Sequence, residues 1–67
     1  MRNGQEITII PSTEICEMRL CGLCGRTGVV NGILYDNGEV KGCWVILDGT
    51  TYNGESEWYI PRASIIE

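Results

Sequence analysis

The four cysteines are the side chains here whose type and spacing could support chemistry. Cys16, Cys21, Cys24 and Cys43 follow a C-x4-C-x2-C-x18-C pattern. Zinc and iron–sulfur sites use sets of four thiolates, and a C-x2-C pair lets one tight turn aim two sulfurs at a single metal. Residues 21–25, Cys-Gly-Leu-Cys-Gly, have that form, and the glycine after the second cysteine would let backbone N–H groups reach the sulfurs. A structural zinc site on Cys16, Cys21, Cys24 and Cys43 is therefore one reading. Against it, there is no second C-x2-C pair. Gly22 and Gly25 serve a chain bend equally well, and Cys43 lies in an apolar run where free cysteine packs as a small hydrophobe. The balance favours unmetallated thiols and no cofactor. A redox pair of Cys21 and Cys24 lacks the strand–helix setting such pairs use. The chain has no histidine, which removes the commonest general base, and no nucleophile is paired with a base. An enzyme is not expected.

The second group is aromatic. Tyr35, Trp44, Tyr52, Trp58 and Tyr59 all lie in the C-terminal half. Strand alternation puts Cys43, Val45 and Leu47 on one face and Trp44 and Ile46 on the other. It likewise sets Trp58 and Ile60 against Tyr59. So small a domain cannot bury five rings. Either some form an exposed recognition row, or two or three cap the ends of the core; the sequence supports both. The residues that would carry binding are Trp44, Trp58, Tyr59 and Tyr35, with Arg26 from the glycine-rich stretch.

Charge narrows the partner. Nine acidic and five basic side chains leave −4, which disfavours a polyanion as main partner. Arg2, Arg19, Arg26, Lys41 and Arg62 are scattered, although Arg19, Arg26, Lys41 and Arg62 could converge in space. Asp36, Glu39, Asp48, Glu55 and Glu57 fall around turns and read as solvated residues, too sparse for a calcium loop. No apolar run approaches the length of a membrane span, and residues 1–10 lack the pattern of a signal peptide. A cytoplasmic protein is expected, with its cysteines reduced.

These groups must be positioned by one small domain, since 67 residues allow no more. Residues 1–5 read as a flexible tail and 6–67 as the domain. The chain is organised around residues 22–34, where Gly22, Gly25 and Gly28 mark a tight, bent path. A strand over 29–35 leaves that bend. Residues 6–10 form the first strand, ended by Pro11. Residues 12–20 read as a loop with at most one helical turn, Ile15, Met18 and Leu20 pointing inward. Asn37-Gly38 is the preferred pair for a two-residue hairpin turn, so 40–47 pairs with 29–35. A short strand over 50–52, turns at 48–49 and 53–54, a strand over 57–60, a helical turn over 61–64 and a last strand over 65–66 complete the chain. This pattern predicts an all-β fold, a small five-stranded barrel.

Two motifs carry a resemblance. Gly22-Leu23-x-Gly25-x-x-Gly28-Val29-Val30, after a strand and a loop, resembles the KOW motif of small SH3-like barrels. Tyr59-Ile60-Pro61-x-x-Ser64-Ile65 is similar to the ending those barrels share: apolar residue, proline, one 3-10 turn, final strand. The resemblance spans residues 6–66. The family includes ribosomal proteins, transcription-elongation modules, peptide-binding adaptors and many small bacterial or phage proteins. It therefore implies a fold and several roles. Nucleic-acid-binding members are usually basic, and this chain is acidic. The leading expectation is a non-enzymatic module that binds a protein partner or a second copy of itself through an aromatic face. RNA or DNA binding through the KOW-like loop is the second reading, and a zinc-stabilised module the third.

Overall fold

Asn37 and Gly38 adopt positive φ, 53° and 79°, and close the hairpin between β2 (Thr27–Asp36) and β3 (Glu39–Leu47). Tyr35 pairs with Val40 and Asp36 with Glu39, as the Asn-Gly turn predicts. The computed structural model describes every residue, Met1–Glu67. The other elements are β1 (Glu6–Ile9), a short helix α1 (Thr13–Glu17), β4 (Glu57–Pro61) and β5 (Ile65–Ile66). Two 3-10 turns, Cys21–Leu23 and Arg62–Ser64, precede β2 and β5. All five strands are antiparallel in one sheet of order β4-β3-β2-β1-β5, so the fold is all-β. β1 pairs on one side with β2 and on the other with the last strand, through Thr8–Ile66 and Ile9–Ile65. β4 and β5 are the two edges and do not pair with each other. An edge strand tolerates proline because its outer N–H groups have no ladder partner, and β4 ends on Pro61.

One face of this sheet is the core. Ile7 and Ile9 come from β1, Val30 from β2, Cys43, Val45 and Leu47 from β3, Ile60 from β4 and Ile65 from β5. Alternation along β3 puts Trp44 and Ile46 outside, as the period-2 pattern requires. Ile15, Leu20 and Leu23, from the segment between β1 and β2, close the core from the far side. Burying each such aliphatic side chain stabilises by about 1.5–3 kcal/mol.

The helical turn allowed within the 12–20 loop forms as the capped helix α1. Ser12 is its N-cap, and its Oγ accepts from the Ile15 N–H at 3.1 Å. The same hydroxyl bonds the buried Ser64 hydroxyl, tying the helix start to the turn before β5. Arg19 takes positive φ, 61°. Its N–H donates to the Cys16 carbonyl and the Leu20 N–H to the Ile15 carbonyl, which is a Schellman C-cap. The accompanying apolar pair is Ile15 with Leu20, both buried. This reversal throws Met18 outward, 40% exposed, against the expectation that it points inward.

The expected strand over 50–52 does not form. Only a bridge between Tyr52 and Glu55 remains, closed by the Asn53-Gly54 turn. The Arg26 guanidinium takes one carbonyl of that stretch and one of the turn before it. It donates to the Asp48 carbonyl at 2.9 Å and to the Thr50 carbonyl. Residues 1–5 lie against the sheet: the Gly4 N–H donates to the Val30 carbonyl, and the Met1 amine pairs with Glu67 at 2.9 Å.

Candidate functional site

The outer face of β2–β3–β4 holds three exposed apolar residues, Leu34, Trp44 and Ile46. Cross-strand partners point to the same side of a sheet, so the register fixes the neighbours. Trp44 pairs with Tyr59, Ile46 with Glu57 and Val29, and Gly42 with Leu34. The Trp44 and Tyr59 rings meet edge to face, centroids 5.2 Å apart and planes at 66°. Leu34 is 42% exposed, Trp44 38% and Ile46 40%. Three adjacent strands thus present one apolar strip with Trp44 in the middle.

Two glycines make room for these rings. A Cβ on Gly42 would stand 2.5 Å from the Tyr59 hydroxyl and 2.5 Å from the Ile60 carbonyl oxygen. Tyr59 therefore lies flat over Gly42 only because that residue has no side chain. A Cβ on Gly32 would stand 3.4 Å from Trp44 Cε3, so the indole rests over β2. The register skips from Val30–Val45 to Ile33–Cys43, which leaves Asn31 and Gly32 together opposite Trp44. This bulge bends β2 beneath the indole. Beside it the Asn31 amide donates to Glu57 Oε2 at 2.9 Å, holding a carboxylate at the edge of the strip.

The structure sorts the five aromatics. Trp44 and Tyr59 share the outer face. Trp58 turns to the core side and packs there with Tyr52, ring centroids 5.8 Å apart. Its indole N–H donates to the Glu55 carbonyl at 3.1 Å. Tyr52 in turn lies against Gly22. Tyr35 stands at the hairpin end, 57% exposed, and joins neither ring pair. Arg26 is on the opposite side of the β2–β3 pair from the hairpin end, committed to the loop carbonyls. Alternation points to Ile46; Leu34 was missed, because its place depends on a register shift.

Two other cations are likewise engaged. Lys41 lies 3.8 Å from Glu39 and Arg62 3.7 Å from Glu67. Arg19 caps α1. Of the side chains named for a nucleic-acid surface, Arg26, Lys41 and Arg62 therefore serve separate local contacts.

The four cysteines do not share a centre, which corrects the tetrathiolate reading. Cys43 is fully buried on β3. Burial pushes its thiol pKa up, while Arg62 lowers it and Glu67 raises it. Cys16 and Cys21 are exposed, and Cys24 is half-buried against the core. No three His, Cys, Asp or Glu side chains are disposed to hold a metal ion. Zinc coordinated by Cys16, Cys21, Cys24 and Cys43 would need Cys43 to leave the core. No helix is long and apolar enough to cross a membrane.

No protein-family model, curated protein or solved structure matches this chain.

Proposed function

We propose that this chain is a non-enzymatic, cytoplasmic binding module of the SH3-like, KOW-type barrel class, and that its outer face holds a protein partner. The observation that carries the reading is the strip of Leu34, Trp44 and Ile46, each about two-fifths exposed, with Tyr59 set edge-on to Trp44. A tryptophan and a tyrosine at the centre of an apolar patch are the residue types that dominate interface energies. The barrel class is supported by the place of β1 between β2 and the last strand, and by the 3-10 turn that leads into β5.

Charge selects the partner. The strip is edged by Glu57, the hairpin end carries Asp36 and Glu39, and the chain bears −4 overall. Two copies of so acidic a chain repel, whereas a segment with apolar side chains flanked by Lys or Arg is attracted. The occupant is therefore a basic-apolar peptide segment of another protein.

The test is selection from a displayed random-peptide library on the intact chain, run beside Trp44→Ser. Peptides combining apolar with basic residues should be enriched on the parent and lost from the variant, and their binding should weaken with salt. Enrichment that survives Trp44→Ser, or self-association in sedimentation that Trp44→Ser abolishes, overturns the proposed occupant.

A further inference from the structure

We propose, building on the partner-binding reading of the outer face, that the free edge of β2 from Ile33 to Asp36 receives the basic-apolar segment as an added antiparallel strand, with an apolar residue opposite Leu34 and a Lys or Arg opposite Asp36. The edge is free because both neighbouring strands stop short of it. β1 pairs with β2 no further than Glu6–Val29, and the last bonds on that side join Val30 to Gly4 and Gln5. The chain then turns away, with the Gln5 N–H on the Arg2 carbonyl and the Met1 amine at Glu67. Beyond Val30 the only strand partner of β2 is β3. On the other side β4 stops at Pro61, opposite Gly42. The hairpin end therefore stands beyond the sheet as a two-stranded ribbon.

The backbone groups along this edge are open. In a two-residue hairpin the residues flanking the turn bond each other, here Asp36 and Glu39. The next pair, Tyr35 and Val40, then turns its N–H and C=O groups away from the ribbon. Ile33, two residues before Tyr35, does the same on β2. No turn or loop bond takes the backbone of residues 31–46. Such a row of unpaired groups is a template for another strand, and residues 33–36, Ile-Leu-Tyr-Asp, hold neither the proline nor the lysine that commonly blocks one. The other edges are poorer: β5 has two residues, while β4 ends on a proline and has α1 against it.

The side chains set the order of the partner's residues. Leu34 and Asp36 are two apart on β2 and share the face of Trp44. On an added antiparallel strand, the residue opposite Leu34 prolongs the apolar strip by one strand. The residue two before it falls opposite Asp36, where a cation is favoured. The segment thus reads Lys/Arg-x-apolar from N to C, and a parallel strand would reverse that order. A second copy of the chain does not fit, because β2 carries no Lys or Arg to set against Asp36 and each copy bears −4.

The probes are peptides selected on the intact chain, resynthesised with N-methyl groups on one set of alternate residues and then on the other. Only one set of N–H groups on an added strand faces β2. One methylation pattern should weaken binding about tenfold or more, and the other should leave it near the parent value. The Ile33 and Tyr35 amides should gain protection from hydrogen exchange when the unmethylated peptide binds. Asp36→Asn should remove the preference for Lys or Arg two residues before the apolar one. Equal effects of the two patterns, or protection gained on residues 57–60 instead, overturn the added strand. If the peptide still shifts the Trp44 indole in that case, the outer-face reading stands without it. If no peptide binds, both fall.

Discussion

Trp44 and Tyr59 face each other across the β3–β4 pair, ring centroids 5.2 Å apart, while Trp58, one residue before Tyr59, turns to the other side of the sheet. The two tryptophans therefore have opposite duties. Trp44→Ala removes an edge-to-face contact worth about 0.5–1.5 kcal/mol and little buried area, so the chain should stay folded. Trp58→Ala removes packing against the core and the ring contact with Tyr52, and should cost about 3 kcal/mol or more. Urea denaturation of the two variants checks this. Equal losses would remove the distinction between an outer and an inner ring.

Arg19 in the left-handed region is strained, because a Cβ at positive φ crowds the neighbouring carbonyl. Arg19→Gly should stabilise the chain by about 1 kcal/mol, seen as a higher denaturation midpoint at unchanged slope. A lower midpoint would mean that the arginine side chain contributes more than its backbone costs.

Ser12 and Ser64 share one hydrogen bond, and Ser12 also caps α1. Ser12→Ala should cost about 1–3 kcal/mol, from the lost cap and from a buried Ser64 hydroxyl left alone. Adding Ser64→Ala removes that orphaned hydroxyl. The double variant should then be more stable than the sum of the single losses implies. Additive losses in a double-mutant cycle would show that the two hydroxyls are not coupled.

Glu67 accepts a hydrogen bond from the Met1 amine, and this holds its carboxyl below the ordinary value; burial opposes the shift, while Gln5 and Arg62 assist it. A group with a lowered folded pKa contributes stability above its unfolded value and loses it as pH falls through the folded value. Glu67→Gln should lower stability at neutral pH and flatten the acid limb of the stability curve. An unchanged acid limb would place the acid sensitivity elsewhere.

Much of the sheet was legible because local chemistry and tertiary structure agree. Asn37-Gly38 demanded a two-residue turn, and Val40 to Leu47 alternated cleanly. Pro61 and Ser64 marked the last turn. The failures have specific causes. Arg19 ends α1 without the glycine that signals such an end. The 50–52 stretch has strand residues, but an arginine distant in sequence claims the Thr50 carbonyl. Leu34 could not be placed because counting back from the turn puts it opposite Lys41. A register shift sets it against Gly42 and so on the Trp44 face. The cysteine spacing left a metal site open, because spacing alone cannot tell that Cys43 is enclosed by the core while Cys16 and Cys21 stay exposed.

The most direct measurement of the binding face is amide-shift mapping on the isotope-labelled chain, titrated with a selected basic-apolar peptide and separately with single-stranded RNA. The peptide should perturb Leu34, Trp44, Ile46 and Tyr59 as one connected patch, with the RNA causing no saturable change. Shifts that cluster instead on residues 22–28 and Arg26, or a saturable response to the RNA alone, would contradict the account.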